Sequence, residues 1–341
     1  MSCISPLIAY PSGFSENGKM KYIPMKRRDK NTGDWIHSKA YLEEKKQLKK
    51  DCDSFYPPIE IPCGKCIGCR LDYSRQWALR CMMELKEHEK ACFVTLTYSE
   101  SNVPITFMPD PDTGEAIPVY TLKKRDLQLF WKRLRKYLGE DCKIRYFACG
   151  EYGSMSFRPH YHAIIFGFMP DDLCLYQKND SSNYYTSKIL DRIWNNGQVI
   201  VANVNFDTCA YVARYTAKKT VGTIGDDFYK SHNLEVPFLV MSRRPGIGWN
   251  YMSCNPEFFR SDRIYIAGSD PVDGPLPRSF YKKLENVNPD LYEELRERRE
   301  KRGNTYERAI MMAHKVPYSK ILSDAEENLL ARARAISRNK V

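Results

Sequence analysis

The alternation of apolar and polar positions predicts a mixed helix and strand chain. Residues 1–62 are weakly periodic, with Ser38–Lys50 the one candidate for a short exposed helix. From Leu71 to His88, Trp77, Ala78, Cys81, Met82 and Leu85 recur at helical spacing. Ala91–Tyr98 reads as a strand, and a Pro-, Asp- and Gly-rich loop then runs to about Val119. Thr121 is placed to cap a helix with the buried stripe Leu127, Phe130, Trp131, Leu134 and Leu138, ended by Gly139. Lys143–Gly150 reads as a strand, residues 151–157 as a hairpin turn, and the run from Pro159 to Phe168 as the returning strand. Ser187–Asn196 fits a short helix and Gln198–Val204 a further strand. The order β-α-β-β-α-β predicts an α+β fold on the split βαβ plan, one antiparallel sheet with two helices on one face. Asp207 is then placed to cap a helix over 208–219. Past residue 260, turns over Gly268–Pro277 precede two charged helices, Pro289–Arg302 and Ser323–Arg338, which read as a peripheral arm. Three regions are expected: 1–90, 91–221 and 222–341.

Composition narrows the partners. The formal net charge of +11 over 341 residues favours a polyanion, nucleic acid first, and 23 tyrosines among basic residues suit stacking on unpaired bases. Twelve cysteines are too unevenly spaced for a disulfide scaffold. No signal peptide and no long apolar run are visible, so a reducing cytoplasm and no membrane partner are expected.

The chemistry gathers in a few places. In Arg158-Pro159-His160-Tyr161-His162, the two histidines are two apart on a strand and share a face. Glu151, at the end of the preceding strand, can sit beside them. Two nitrogens and one oxygen form an open set suited to Mg²⁺ or Mn²⁺, with substrate phosphate completing the shell. Upstream, Cys63-Gly64-Lys65-Cys66-Ile67-Gly68-Cys69 spaces three thiols as a metal knuckle, and Cys3, Cys52 and Cys81 are the options for a fourth ligand. Zinc is the first choice, since nothing else points to electron transfer; an iron–sulfur cluster is the alternative. The helix after Thr121 carries Lys123, Lys124, Arg125, Lys132, Arg133, Arg135 and Lys136 on its other face, which tilts a solvated face toward phosphate contact. The loop Met241–Gly248, with Arg243 and Arg244, can present backbone N–H groups to a phosphate or serve only as a connection. Tyr211 and Tyr215 lie four apart on one helix face, with Lys218 and Lys219 a turn on.

R-P-H-Y-H at 158–162, with Y-V-A-R-Y-T-A-K at 211–218, resembles the two signatures of HUH endonucleases that start rolling-circle replication. With C-G-K-C-I-G-C-R at 63–70 and M-S-R-R-P-G-I-G at 241–248, the chain is similar to the replication initiators of gokushovirus-type Microviridae, over about residues 1–255. The resemblance implies an HUH nuclease fold and metal-dependent nicking at a phage origin, with His160 and His162 as metal ligands and Tyr211 and Tyr215 as nucleophiles. A free 3′-hydroxyl and a covalent 5′ end would result, with Lys218 or Lys219 steadying the charge. The resemblance also favours Cys3 as the fourth cysteine ligand, and it implies single-stranded origin DNA as partner, contacted by Arg158 and the basic residues above, in a host cytoplasm. No G-x4-G-K-[ST] occurs, so a host helicase and replication machinery are expected as partners. Two other readings remain open. One is a non-catalytic RRM-like binder stacking bases on Tyr146, Phe147 and Tyr161; the other is a transposase or mobilisation nuclease sharing the same chemistry.

Overall fold

The computed structural model describes residues 3–14, 20–28, 35–37, 59–110, 112–140, 142–153, 156–179, 182–218, 228–267, 271–314, 320–321 and 324–331. The chain divides into two compact units, residues 1–72 with 298–341, and residues 73–297.

In the first unit the weakly periodic N-terminal region is not structureless. Strands β1 (Leu7–Phe14), β2 (Met20–Arg28), β3 (Trp35–His37) and β4 (Ile59–Ile61) form an antiparallel sheet in the order β3-β2-β1-β4. The expected helix at Ser38–Lys50 lies outside the described residues. Helix α1 (Ile67–Leu85) starts inside the cysteine knuckle, four residues earlier than its apolar periodicity announces.

The second unit is built on a seven-stranded antiparallel sheet, so the chain is α+β. Its strands are β5 (Ala91–Thr97), β8 (Arg145–Tyr152), β9 (Pro159–Phe166), β10 (Cys174–Asn179), β11 (Ser182–Thr186), β12 (Val199–Ala202) and β13 (Phe238–Met241). They lie in the order β10-β11-β12-β5-β9-β8-β13. The stretch assigned to a loop before Val119 holds a two-stranded ribbon instead, β6 (Ile105–Pro109) and β7 (Ala116–Tyr120). Its turn closes where the Asp110 carboxylate accepts the N–H groups of Asp112 and Thr113, a local pattern that hydrophobic periodicity does not register.

Strand β9 is central because it is apolar on both faces and tolerates Pro159 at its first position. Tyr161, Ala163 and Ile165 face α2 (Lys124–Leu138) and α3 (Lys188–Trp194), through Leu127, Phe130, Trp131, Leu134, Leu190 and Trp194. Ile164 and Phe166 face the other way, toward Ala78, Leu79 and Met83 of α1 and Cys209, Val212 and Ala213 of α4 (Phe206–Lys218). Each large side chain so buried contributes about 1.5–3 kcal/mol. Gly150 is fixed by the same packing. Its register partners are Tyr161 and Phe238, and a Cβ there would meet the Phe238 ring at 2.9 Å and Tyr161 at 3.1 Å.

Helix boundaries differ from expectation where capping is concerned. Thr121 does not cap α2: Lys123 holds the N-cap position without a side-chain bond, and the Thr121 hydroxyl accepts the Glu235 N–H at 3.0 Å. The backbone N–H of Lys123 goes to the buried Tyr161 hydroxyl at 3.0 Å. Gly139 ends α2 at a φ of 75°, as its position predicts. Ser187 caps α3, accepting the Leu190 N–H at 3.1 Å. For α4 the cap is Asn205 rather than Asp207, with Asn205 Oδ1 accepting the Thr208 N–H at 2.8 Å and Thr208 Oγ1 accepting the Asn205 N–H at 2.9 Å.

Beyond the sheet, α5 (Trp249–Cys254), α6 (Glu257–Ser261), the ribbon β14 (Arg263–Ile266) with β15 (Val272–Pro275), and α7 (Arg278–Val287) add Ile247, Met252, Phe259, Ile264 and Phe280 to the core under α1. Helix α8 spans Pro289–His314, a dozen residues longer than the charge pattern implied, and residues 324–331 are helical.

Candidate active site

Alternation along three neighbouring strands places one polar group on each. On β9, His160 and His162 point to the same face as Ile164 and Phe166. The β8–β9 register sets Glu151 directly across from His160, and the β5–β9 register sets Thr95 directly across from His162. Glu151 Oε1 lies 2.9 Å from His160 Nε2 and 3.1 Å from His162 Nε2. The three ligand atoms fall within 4.8 Å of one another. Glu151 sits within β8 rather than at its end, because the strand runs two residues past Gly150.

The opposite edges of the imidazoles decide what this cluster can hold. His160 Nδ1 is 3.1 Å from the Arg158 carbonyl, which can only accept, so Nδ1 carries the proton. The Nε2 lone pair of a neutral His160 then faces a carboxylate oxygen. That arrangement is repulsive unless positive charge, a second proton or a metal ion, lies between them. His162 Nδ1 is 2.9 Å from Thr95 Oγ1, a partner able to accept an Nδ1 proton and leave Nε2 available to ligate. Burial would raise the Glu151 carboxyl, but hydrogen bonds from His160 and His162 outweigh it and hold it below the usual carboxylate range. The donor set therefore fits a divalent cation. Thr95 has no motif of its own, and its signal is a polar position alternating with Val94 and Leu96 in a buried strand.

Helix α4 brings Tyr211 to this face. Its ring lies edge-on to His162 at 5.1 Å between centroids and edge-on to Phe93 at 6.3 Å. Tyr215 and Lys218 are on α4 but their side chains, like Lys219 altogether, lie outside the described residues.

The cysteines converge separately. Cys3, Cys63, Cys66 and Cys69 bring their sulfurs within 4.8 Å of one another. Cys63 and Cys69 are 4.0 Å apart and Cys66 and Cys3 3.9 Å. Four sulfurs about 2.3 Å from a tetrahedral zinc would stand about 3.8 Å apart, so the spacing fits. Backbone N–H groups of Lys65 and Cys66 point at Cys63 Sγ, and that of Cys69 at Cys66 Sγ. The hydrogen bond from Cys3 draws the Cys66 thiol down to about 4 against its burial, whereas Cys3 is raised, so negative charge concentrates within the cluster. Of the other options, Cys81 is fully buried in the core beside Cys209, and Cys52 lies outside the described residues.

The expected DNA-contacting residues divide. Lys123, Lys124, Arg125, Lys132, Arg135 and Lys136 are exposed, as are Arg243 and Arg244. Arg133 donates to the Ile193 and Trp194 carbonyls, both at 2.6 Å, and satisfies the C-terminus of α3. Arg158 pairs with Glu100 and donates to the Tyr98 carbonyl at 2.8 Å. In the 241–248 loop the Gly248 N–H is committed to the buried Glu84 carboxylate at 2.6 Å, and a Cβ on Gly248 would meet the Arg80 carbonyl at 2.6 Å. Arg145 also pairs with Glu84 and donates to the Pro245 carbonyl at 2.7 Å. Phe147 and Tyr161, candidates for base stacking, are fully buried, and Tyr146 is half-buried against Trp131. No helix among the described residues is long and apolar enough to cross a membrane.

Comparison with known proteins agrees with this core. A family model for replication-associated proteins of the ORF2 type matches residues 91–220. Replication-associated protein ORF2 of Spiroplasma virus 4 is 33% identical over 282 residues, 79% of this chain and 82% of that protein. Replication-associated protein VP4 of Bdellovibrio phage phiMH2K is 30% identical, covering 80% of this chain and 79% of the relative. Replication-associated protein ORF4 of Chlamydia phage 1 is 29% identical over 61% of this chain and 50% of its own length. No solved structure matches. The chain belongs to the family of Microviridae-type phage replication-associated proteins.

Proposed function

We propose that this chain is an HUH-type endonuclease and strand transferase that initiates rolling-circle replication of a single-stranded DNA phage. The observation carrying the reading is the convergence of Glu151 Oε1, His160 Nε2 and His162 Nε2 beside the Tyr211 ring. Strand order supports it as well. Within the sheet, the four strands of the β-α-β-β-α-β series lie as β12-β5-β9-β8, the order 4-1-3-2 of a split βαβ plan.

The reaction is a transesterification. A tyrosine oxygen attacks the scissile phosphorus in line, the bond from phosphorus to the 3′ oxygen breaks, and a 5′-phosphotyrosine and a free 3′-hydroxyl result. The phenol's proton is released and the departing 3′ oxygen takes one up, so the step needs no high-energy cofactor. A phenol of pKa about 10 is ionised to about one part in a thousand at pH 7, a deficit of about 4 kcal/mol. Mg²⁺ or Mn²⁺ held by Glu151, His160 and His162 would supply Lewis-acid stabilisation of the phosphate oxygens. The chain's part is to hold both Nε2 lone pairs toward that point and to bring Tyr211 against His162 on α4. Lys218, the last residue of that helix, and Lys219 after it are the cations suited to steady the developing charge. Tyr215, one turn from Tyr211, supplies a second nucleophile, so one tyrosine can attack while the other holds the 5′ end. The four cysteines would hold a structural Zn²⁺. Phage origin single strand is the substrate, and unwinding falls to a host helicase.

The test is incubation of labelled origin single strand with Mn²⁺, then denaturing electrophoresis for a covalent adduct. Tyr211→Phe and Tyr215→Phe should each retain some adduct, and the double variant should form none. His160→Ala or His162→Ala should abolish nicking while DNA binding stays within a few-fold. Peptide mapping that finds DNA on neither tyrosine refutes the mechanism, and a complete absence of adduct in the wild type favours a non-catalytic binder.

A further inference from the structure

A cavity of about 900 Å³ opens between α2 and edge strand β13, at the border of the sheet next to β8. Five cations that are far apart in sequence line it: Lys124 and Arg135 from the two ends of α2, Lys143 before β8, and Arg243 and Arg244 after β13. The single acid in the lining is Glu140. All five are exposed, and none has an acidic partner among the described residues. Such an excess of unpaired charge in a concave wall is unfavourable by itself and favours an anion.

The wall is also ordered. Lys124 Nζ lies 5.4 Å from the Phe238 ring centre and the Arg135 guanidinium 5.8 Å from that of Tyr146. The loop carrying Arg243 and Arg244 is pinned on both sides. Ser242 N–H donates to the Tyr146 carbonyl at 2.9 Å and Tyr146 N–H to Ser242 Oγ at 3.1 Å. Beyond the arginines, Arg80 holds the Ile247 carbonyl at 3.1 Å, alongside the bonds from Arg145 and to Glu84. Register gives the groove its direction. Phe238 pairs with Gly150, the neighbour of Glu151, and Met241 with Phe147. At about 3.4 Å per residue, the line from Phe238 to Arg243 covers about 17 Å, leading away from the strand position of the metal donors.

We propose that this groove is a track for the phosphodiester backbone of DNA flanking the cleaved position. The inference rests on the reading of the chain as one that acts on DNA, and it assigns Lys143 to that surface beside Arg243 and Arg244. Fluorescent origin oligonucleotides, single-stranded and hairpin duplex, are titrated with full-length protein in EDTA over a range of salt. Each phosphate contact with a single strand contributes about 0.7 to the slope of log affinity against log salt. Lys143→Ala/Arg243→Ala/Arg244→Ala should therefore flatten the slope by about 2, with an unchanged melting temperature. The charge-matched variant Lys178→Ala/Lys188→Ala/Arg192→Ala should barely alter it. Loss confined to the single strand, or to the hairpin, names which form occupies the track. An unchanged slope in the groove variant, an equal loss in the control, or preferential capture of polyglutamate overturns the proposal. Should the triple variant fold poorly, the exposed pair Arg243→Ala/Arg244→Ala is read against a flattening of about 1.4. Adduct formation with Mn²⁺ is scored separately, so failure of the nuclease chemistry and failure of the track are told apart.

Discussion

Replacing Thr95 by valine removes one hydroxyl and keeps a β-branched side chain in a buried strand, so the ladder to β9 should survive. What is lost is the 2.9 Å bond to His162 Nδ1. The His162 side chain is 6% exposed, so water has little room to replace the partner. An unpaired buried nitrogen costs about 1–3 kcal/mol. The imidazole can avoid that cost by moving its proton to Nε2 and donating to Glu151, but this tautomer no longer offers Nε2 to a metal. Losing a supporting group of this kind weakens metal affinity about 10–100-fold, or about 1.4–2.8 kcal/mol. Calorimetric titration of the DNA-free protein with Mn²⁺ measures it directly. Thr95→Ser should restore affinity because it restores the acceptor. Thr97→Val is the control: Thr97 pairs with His160 in register, but its hydroxyl donates to the Gln198 carbonyl at 3.0 Å, so Mn²⁺ binding should not change. Wild-type affinity in Thr95→Val, or equal losses in both valine variants, would refute the role given to the Thr95 hydroxyl.

Cys66→Ser should lower the yield of folded protein without altering cleavage by the fraction that folds, and metal analysis should find one zinc per chain; protein purified with neither zinc nor iron would leave the four cysteines as ordinary thiols. Glu84→Gln should destabilise by about 3 kcal/mol at neutral pH, since it strands Arg145, a side chain only 17% exposed, beside an uncharged amide. Burial opposes ionisation of Glu84, but bonds from His88, Gly248 and Arg145 hold its folded value below the usual carboxylate range. Its stabilisation is thus fully present above the unfolded carboxylate value, about 4.3, and is lost as pH falls through the lower folded value. The gap between wild type and Glu84→Gln in urea titrations should narrow through that window, and a gap independent of pH would contradict the assignment.

Where chemistry depends on spacing along one element, the sequence by itself was sufficient. His160 and His162 share a face because strand periodicity is two, and Cys63, Cys66 and Cys69 converge because glycine-containing turns fold them back locally. The main strands and the helices between them were legible for the same reason, since each buries a stripe with its own period. Polar groups supplied by a neighbouring element were not legible. Thr95 reaches His162 only through the β5–β9 register, and Arg133 reaches the end of α3 only through helix packing. The N-terminal sheet and the β6–β7 ribbon escaped detection because short, partly exposed strands carry little hydrophobic alternation. Tertiary structure alone decided that both faces of the large sheet are covered. Its second layer comes from α1, α4 and residues 247–284, whose apolar positions give a period but not the surface they will cover. The same limit hid the groove, where residues from 124 to 244 meet: charge in a sequence has sign and spacing, and acquires a direction only when the chain is folded.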